Sequence, residues 1–444
     1  MNKLLLGGLL VILIFWQQAC IAPYEEQLTD VNLDYRDSLF QEIASFQDQQ
    51  LVDSLLTFFK HPDPSYRYQA IMALSSIRDS SVIAQLTPLL EDKIDKVRAA
   101  AAYALGQIGN SSVAETLSQA FDQSDTAGVY KLANRAILEA IGKSADEEYL
   151  DLLSTIRTYE SQDSALLEGQ AWGIYRFALR KMVSPQGTAR MAHLASNSSY
   201  PKQVRLIAAN YFFRAEGLKL DTLTPALMQA FQEAREPSIR MALAVGLGKT
   251  QQDTAISVLL QALSTEQDYR VRCNIIRSFA NFPYDQVSAA VFAALQDENP
   301  QVRLRAAQYF LAKGEAKDAG NYWRRAKLTS PWHAQLTLYA ASNRHLAPAE
   351  QEAKTILNRE LRGQYFRAQT DYEKAAAIRA LAEFPWNYRF IQREGYKDTS
   401  HVVRGASVQA LANFYFGSGP PPPPGPPPRD GSRGSCAKRR ARPR

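Results

Sequence analysis

The sequence predicts an all-α protein, specifically an α-solenoid in which about twelve helix pairs stack into a superhelix. Three observations predict this fold. A short pattern headed by a basic or polar residue recurs along the chain, and successive heads lie 30 to 41 residues apart. Small apolar residues occupy one helical face of each copy, and a second amphipathic segment precedes each copy. A period of this size is typical of stacked supersecondary units.

The clearest copy of the pattern is "VRAAAAYALGQIG". Its head, Arg98, is followed by Ala101, Ala104, Leu105 and Ile108, at +3, +6, +7 and +10. Because an α-helix has 3.6 residues per turn, these four positions share one face. Small side chains on that face allow a neighbouring helix to approach closely. The pattern therefore predicts a helix that packs against its counterparts in adjacent copies.

The heads fall into two groups. The stronger copies are headed by arginine, and these residues are interpreted as structural: Arg67, Arg98, Arg205, Arg240, Arg272, Arg303 and Arg404. The weaker copies are assigned mainly by spacing, with heads at Arg36, Lys131, Glu168, His333 and Lys374. Together the copies fill residues 33–416.

A polar turn precedes many of the heads and often carries an acidic residue six positions earlier. Asp92, Glu266, Asp297 and Asp398 are the examples. An acid at this position favours a helix start. It is also placed to meet an arginine of its own repeat or of the adjacent one. A pair of helices of this length cannot bury its apolar face alone, but it can do so when stacked on neighbours.

The combination of an acid, a turn and "V-R-x-x-A-x-x-A-L-G-x-I-G" resembles the HEAT repeat, in the short bacterial form also found in phycobilisome-lyase-like repeats. The copies headed by Arg98, Arg240 and Arg303 carry the resemblance best. The tryptophan-leucine-glycine-tyrosine signature of tetratricopeptide repeats is absent from corresponding positions. The resemblance implies the solenoid fold, but a fold alone does not assign a function.

The N-terminus is expected to be an export signal. Lys3 precedes a 13-residue apolar stretch from Leu4 to Trp16, which is too short to span a bilayer comfortably. Ala19 and Cys20 resemble the end of a bacterial lipobox, although the position three before the cysteine departs from that pattern. We expect residues 1–20 to be a lipoprotein-type signal, Cys20 to carry the lipid, and residues 21–32 to form a tether. The alternative is a cleaved, soluble periplasmic protein.

Residues 417–444 differ sharply from the rest of the chain. They are rich in proline and arginine and are predicted to be disordered, because they cannot bury a core. Three interpretations remain open: a ligand for proline-recognising domains, a basic interaction arm, or a segment that is not native and arises from a frameshift or an assembly artefact.

Charge and cysteine content restrict the partners. The whole chain has a net charge of +6, and the tail from residue 418 onwards, with seven basic residues and one acidic residue, accounts for all of it. The solenoid is therefore neutral on average, and nucleic acid is not an expected partner. The three cysteines, at positions 20, 273 and 436, offer no internal disulfide framework. Cys273 is interpreted as a small helix residue.

No catalytic, cofactor-binding or metal-ligating constellation is predicted. None of the five histidines is followed by glutamate, whereas the HEAT-repeat enzyme deoxyhypusine hydroxylase uses paired His-Glu motifs for iron. "GLGK" at positions 246–249 lacks the spacing of a phosphate-binding loop and is interpreted as a helix end. We therefore expect no enzymatic activity and no cofactor.

The candidate binding residues come from positions +5 and +8 after each head, which point away from the apolar face. In the resembled family the second helices of the pairs line the concave side. These positions mix aromatic, amide and arginine residues, as protein-binding surfaces do. The candidates are Tyr103, Arg176, Asn210, Arg277, Gln308 and Arg379. The alternative is that several of these side chains pack between helices.

The sequence thus predicts an exported, lipid-anchored scaffold on the periplasmic side of a bacterial membrane, which binds a protein on its concave face. An alternative follows from a second resemblance. Lipoprotein-like leaders with short HEAT arrays resemble the N-terminal part of periplasmic cyclophilin-type peptidyl-prolyl isomerases. On that interpretation the catalytic domain is missing from this chain. The identity of the partner, the membrane concerned and the native C-terminus do not follow from the sequence.

Overall fold

The computed structural model describes residues 30–125, 127–156, 164–347 and 350–416. The predicted signal with Cys20, most of the tether and the tail at 417–444 lie outside the described residues. The chain divides into two compact units, with the boundary between Thr250 and Gln251.

The predicted all-α fold is confirmed. Of the described residues, 77% are helical, and they contain 23 α-helices and no strand. Eleven helix pairs follow one another, and the helix Ser38–Asp48 precedes them as the second helix of a twelfth repeat. Within each unit the second helices of successive pairs pack side by side, which is the arrangement of an α-solenoid.

The first unit contains Ser38–Asp48 and six pairs. Its other second helices are Pro64–Ile77, Asp95–Ile108, Lys131–Ser144, Ser164–Leu179, Lys202–Arg214 and Pro237–Thr250. Its first helices contain the α-helical segments Val52–Leu56, Ile83–Leu86, Ala114–Ala120, Glu148–Thr155, Pro185–Ser196 and Thr224–Glu233. Single 3₁₀ turns flank several of these short segments, at Thr57–Lys60, Ser80–Val82, Thr87–Glu91, Ser111–Val113 and Asp221–Leu223.

The second unit contains five pairs. Its second helices are Tyr269–Ser278, Pro300–Lys313, Trp332–His345, Asp371–Ala382 and His401–Phe416. Its first helices are Asp253–Thr265, Tyr284–Ala294, Ala319–Ala326 and Gln351–Arg367, followed by the composite Pro385–Asn387, Tyr388–Phe390 and Ile391–Gly395. The 3₁₀ turns Phe279–Asn281 and Ala316–Asp318 adjoin two of these helices.

The head residues have a common structural position. Each of the seven head arginines is the fourth residue of its second helix, for example Arg98 in Asp95–Ile108 and Arg404 in His401–Phe416. Lys374 also occupies this position, in Asp371–Ala382. The spacing of the stronger copies therefore predicted the helix starts correctly.

The frame of the weaker copies is wrong at four places. Glu168 is displaced least, as the fifth residue of Ser164–Leu179. Lys131 is the first residue of its helix and His333 the second, whereas Arg36 precedes the helix Ser38–Asp48. The start of a helix depends on local capping, which a constant spacing does not capture. Before Lys131, the Asp125 carboxylate accepts hydrogen bonds from the backbone of Val129 and Tyr130, which stabilises the turn up to residue 130, so the helix begins later than the frame predicts.

Small residues allow the second helices to approach closely, as predicted. Ala101, Ala104 and Leu105 are fully buried. The closest approach is between Lys131–Ser144 and Ser164–Leu179, where a Cβ added to Gly142 would lie only 2.7 Å from the Cα of Gly173. Glycine is therefore required at position 142 because the neighbouring backbone occupies the space of a side chain.

Candidate protein-binding surface

The head arginines bind the turn that precedes their own helix. Arg67, Arg240, Arg272, Arg303 and Arg404 each donate from Nη1 to two backbone carbonyls, five and six residues earlier. Arg98 donates to the carbonyls six and seven residues earlier. These bonds satisfy turn carbonyls that have no helical partner, so the interpretation of the heads as structural residues fits their contacts.

The acidic residue at −6 connects adjacent repeats. The Asp92 carboxylate binds Arg67 of the preceding repeat at 2.8 and 2.9 Å, while its backbone carbonyl accepts from Arg98 of its own repeat. Asp297 is placed in the same way between Arg272 and Arg303. The sequence left open which repeat the acid would contact, and the structure shows that it contacts both.

The interpretation of this acid as a helix-start residue is wrong. Asp92 and Asp297 each lie two residues before the N-caps of their helices, Ile94 and Asn299. Each carboxylate instead accepts the backbone N–H two residues ahead, which stabilises the turn. The carboxylate thus binds an arginine and the turn, and the helix Pro300–Lys313 is capped by Asn299 instead.

Arg205 shows what happens where this acid is missing. Position −6 of the next repeat is Ala234, and the nearest carboxylate is that of Glu236, 3.7 Å from Arg205 Nη1. Arg205 is only 6% exposed, and its Nε and Nη2 have no hydrogen-bond partner within the described residues. The ion pair between adjacent repeats is therefore longer at Arg205 than at Arg67.

In the first unit, two of the candidate binding residues belong to one internal network. Arg176 donates two hydrogen bonds to Glu139, at 2.8 and 3.0 Å, and Lys143 forms an ion pair with the same carboxylate. The Lys143 ammonium lies over the Tyr103 ring, 4.7 Å from its centre. Burial works to raise the pKa of Glu139, but Lys143 and Arg176 outweigh it and lower that pKa below its ordinary value.

These contacts limit what the candidates in the first unit can offer to a partner. Tyr103 lines a shallow cavity of about 450 Å³ with Tyr68, Met72 and Leu132, but its hydroxyl already bonds Gln107. The Asn210 amide donates to a backbone carbonyl of its own helix, that of Leu206. All three candidates here are only partly exposed, and the polar groups of Arg176 and Asn210 have protein partners.

In the second unit, Gln308 and Arg379 lie on the wall of one groove. The groove has a volume of about 420 Å³ and is formed by the helices Pro300–Lys313, Trp332–His345 and Asp371–Ala382. Its other lining residues include Leu304, Trp332, His333, Leu336 and Tyr372. We call it the Arg379 groove. The third candidate of this unit, Arg277, is exposed on Tyr269–Ser278 and does not line the groove.

Arg379 and its neighbour Arg344 differ in their partners. Arg344 binds both carboxylate oxygens of Glu383, at 2.7 and 2.8 Å, and donates its remaining terminal nitrogen to the Leu311 carbonyl. Arg379 is exposed and makes no hydrogen bond or ion pair within the part of the chain that the structure describes. Arg344 is therefore neutralised by Glu383, whereas the donors of Arg379 on the groove wall face solvent.

A second cavity adjoins the first at Arg379. It has a volume of about 470 Å³ and shares Leu311, Arg379 and Glu383 with the Arg379 groove. The last described helix, His401–Phe416, supplies its far wall through Gln409, Ala410, Asn413 and Phe414. The Arg379 guanidinium thus lies between two neighbouring depressions of mainly apolar lining.

A buried asparagine network fixes two walls of the groove to the layer beneath them. Asn343 on Trp332–His345 donates to Asn358 at 3.1 Å and to the Ala380 carbonyl at 3.1 Å. Asn387 donates to Asn358 at 2.6 Å and to the Leu381 carbonyl at 2.9 Å. All three asparagines are at most 3% exposed. A buried polar network whose members are satisfied makes the local arrangement rigid.

Sequence reasoning missed several groove residues. Trp332, Tyr372 and Glu383 lie at helix ends, outside the +5 and +8 positions. Position +5 counted from His333 is Leu338, which the frame therefore predicted to be exposed. Leu338 is instead fully buried. Counting from the fourth helical residue would instead have selected Ala340, which lines the groove, and likewise Glu139 in the first unit.

Two further side chains that could be reactive, His345 and Cys273, make contacts within the fold. His345 bonds the Phe310 carbonyl, and Cys273 is half-buried on its helix, where burial raises the pKa of its thiol. No cluster of three or more histidine, cysteine, aspartate or glutamate side chains in this part of the chain could hold a metal ion. Nor does any helix there have the length and apolar character needed to cross a membrane.

A family model for HEAT repeats matches residues 21–96, 52–135 and 256–319. In these segments the chain is similar to HEAT repeats. The matched segments include the heads Arg67, Arg98, Arg272 and Arg303. Of these, Arg67 and Arg272 form the ion pair with the aspartate of the next repeat. No curated protein matches the chain.

Among solved structures, a crystal structure of importin beta is similar to this chain, with 14% sequence identity and a TM-score of 0.52. The alignment covers 88% of this chain and 54% of importin beta, so the chain spans about half the length of that protein. Human deoxyhypusine hydroxylase in complex with glycerol matches with 19% identity over 60% of this chain and 97% of its own, at a TM-score of only 0.27. The importin beta likeness supports the solenoid fold alone.

Proposed function

We propose that this protein is an exported, lipid-anchored HEAT-repeat scaffold that binds a protein partner through the second helices of its second unit. The observation that carries the binding part is the Arg379 groove. Aromatic and aliphatic side chains there surround Gln308 and Arg379, whose polar groups make no hydrogen bond within the described residues. Protein interfaces concentrate their energy in such aromatic and arginine residues.

In the groove, unlike on the surface of the first unit, the polar groups of candidate residues remain available to a partner. The polar groups of Tyr103 and Arg176 are already hydrogen-bonded, to Gln107 and Glu139 respectively. A partner would have to break these bonds before it could use them, and leaving Glu139 partly buried without its partner would be costly. We therefore place the partner's main contact in the second unit.

Site-specific photo-crosslinking tests the binding proposal. A photoreactive residue at position 308 should capture one defined protein from envelope extract, identified by mass spectrometry. The same probe at position 147 is the control, because Glu147 is exposed at the start of a short first helix of the first unit and lines neither cavity. Equal capture at positions 308 and 147, or no capture at either, would contradict an envelope protein as the partner of the groove.

The anchoring part of the proposal rests on the sequence "LLVILIFWQQAC", which ends at Cys20. A lipid-modified cysteine at this point would hold the protein to a membrane through its acyl chains. The variant Cys20→Ala should lose incorporation of labelled fatty acid and move to the soluble fraction. Equal labelling of the variant and the unmodified sequence would refute the anchor and leave the groove proposal untouched. The interpretation as part of an isomerase stays a prediction from the sequence.

A further inference from the structure

We propose that the Arg379 groove binds an extended peptide segment that carries one carboxylate between two apolar side chains. This inference rests on the proposed function, since it names the chemistry of the partner at the same site. Its basis is the combination of one unpaired guanidinium with an apolar depression on either side of it.

The charge of the site selects an acidic ligand. Two charged residues, Arg379 and Glu383, line both cavities, and Arg344 lines the second cavity. Arg344 and Glu383 neutralise each other through two hydrogen bonds. The remaining charge is that of Arg379. An arginine has five N–H donors in a planar fork, which matches the two oxygens of a carboxylate. A basic ligand would instead meet this positive charge without a free carboxylate to offset it.

The lining of the two cavities selects apolar side chains next to the carboxylate. On one side of Arg379, the groove offers Leu304, Leu336 and the rings of Trp332 and Tyr372. On the other side, Ala406, Ala410 and Phe414 line the adjoining cavity. Aromatic and aliphatic side chains of a ligand would lose water-exposed area in both places, which favours binding.

The spacing of the cavities indicates the length of the segment. They lie on either side of the helix Asp371–Ala382, and packed helices are roughly 8–10 Å apart. An extended chain rises about 3.3 Å per residue, so about three residues would span this distance. The ligand would place its acidic residue over Arg379 and one apolar residue in each cavity. The exposed amides of Gln308, Gln409 and Asn413 are placed to bond its backbone.

Other occupants do not fit this wall as well. The chain's own residues 417–444 contain seven basic residues and one acidic residue, so they do not complement Arg379. A purely apolar ligand would leave the guanidinium covered and unpaired, at a cost. Peptides without an acid would thus bind more weakly than those that carry one.

Selection from a random 12-residue peptide phage library on the immobilised full chain tests the inference. The enriched peptides should contain Asp or Glu with apolar residues about three positions apart. In fluorescence polarisation, replacing that acid by its amide should weaken binding of the best peptide about tenfold or more. Enrichment of peptides without an acid, or no enrichment at all, would overturn the proposal.

A charge exchange identifies the arginine concerned. Arg379→Glu should lose the acidic peptide and gain affinity for the same peptide with lysine in place of the acid. Arg389→Glu is the matched control, because Arg389 is also an exposed arginine of the second unit but lies outside both cavities. Retained binding of the acidic peptide by Arg379→Glu, or an equal loss in Arg389→Glu, would overturn the proposal. Circular dichroism checks that both variants fold.

The two proposals can fail separately. If a defined partner is captured at position 308 but the selected peptides show no preference for an acid, the protein-binding proposal is supported and the acidic-ligand proposal is refuted. Acidic peptides that depend on Arg379, with no protein captured at position 308, would support the ligand chemistry and remove the envelope partner.

Discussion

Arg67 and Asp92 form a two-pronged ion pair across 25 residues of sequence, at 2.8 and 2.9 Å, and their side chains are only 13% and 8% exposed. The Asp92 carbonyl also accepts a hydrogen bond from Arg98, so Asp92 connects the head arginines of two adjacent repeats. The same arrangement recurs at Asp297. The contact between repeats is thus polar and directional as well as apolar.

Removing the arginine of this pair should be strongly destabilising. Arg67→Ala leaves the Asp92 carboxylate buried without its counter-charge and frees two turn carbonyls, so we expect a loss of about 3–5 kcal/mol in the free energy of unfolding. Denaturant titration followed by circular dichroism measures it. Arg36→Ala is the control, since Arg36 pairs with Asp34 on the surface and is 93% exposed. That variant should lose less than about 1 kcal/mol, and similar losses in both would contradict the structural role.

The second prediction concerns the start of the helix Tyr269–Ser278. Hydrogen bonds from the Arg270 guanidinium, opposed by partial burial and reinforced by the backbone N–H of Arg270, lower the pKa of Asp268 to about 2. A carboxyl group whose pKa is lower in the folded state stabilises the fold above its unfolded pKa, near 4, and this contribution is lost as the pH falls towards 2.

Asp268→Asn tests this dependence, because asparagine keeps a capping oxygen and loses only the charge. The variant should be less stable than the parent at pH 7, and the difference in unfolding free energy should shrink between pH 4 and pH 2. Urea titrations over this pH range measure it. A difference that stays constant with pH would show that the charge of Asp268 is not responsible.

The third prediction concerns the closest helix contact. Gly142→Ala places a methyl group against the backbone of Gly173, where no flexible side chain can move away. We expect a loss of about 1–3 kcal/mol from overpacking, measured as a lower Tm. Gly405→Ala is the control, because it also lies inside a helix but has no atom within 4 Å of the added Cβ. It should be neutral or more stable by up to about 1 kcal/mol.

The fourth prediction concerns the support of the Arg379 groove. Asn358→Ala removes the side-chain oxygen that accepts from Asn343 and Asn387, and leaves their amides buried with one partner fewer. A loss of about 2–3 kcal/mol is expected. The exposed Asn413→Ala, in the same unit, should change stability by less than about 0.5 kcal/mol. If the two variants unfold alike, the network does not contribute to stability.

The fold was predictable because its determinants are local and periodic. The arginine heads with small residues at +3, +6 and +7 identified the second helices, and the seven heads share one helical position. The frame failed at Lys131 and His333, where turn contacts such as those of Asp125 decide where the helix begins. These contacts depend on loop conformation and leave no periodic signal.

The candidate site was predictable only in part. Helical geometry placed Gln308 and Arg379 on the surface, and the structure brings them into one groove. Whether an arginine is free or paired depends on residues far away in sequence. Arg344 is paired because Glu383, 39 residues later, lies beside it, whereas Arg176 is paired with Glu139, 37 residues earlier. No single-repeat pattern contains this information.

The shared aspartates also have a consequence for how a nascent chain matures as it leaves the ribosome. Arg67 bonds its own turn as soon as its repeat has emerged, but its carboxylate partner is synthesised 25 residues later. Arg272 waits equally long for Asp297. At these two repeats the arginine therefore has no carboxylate partner until the next repeat has been synthesised.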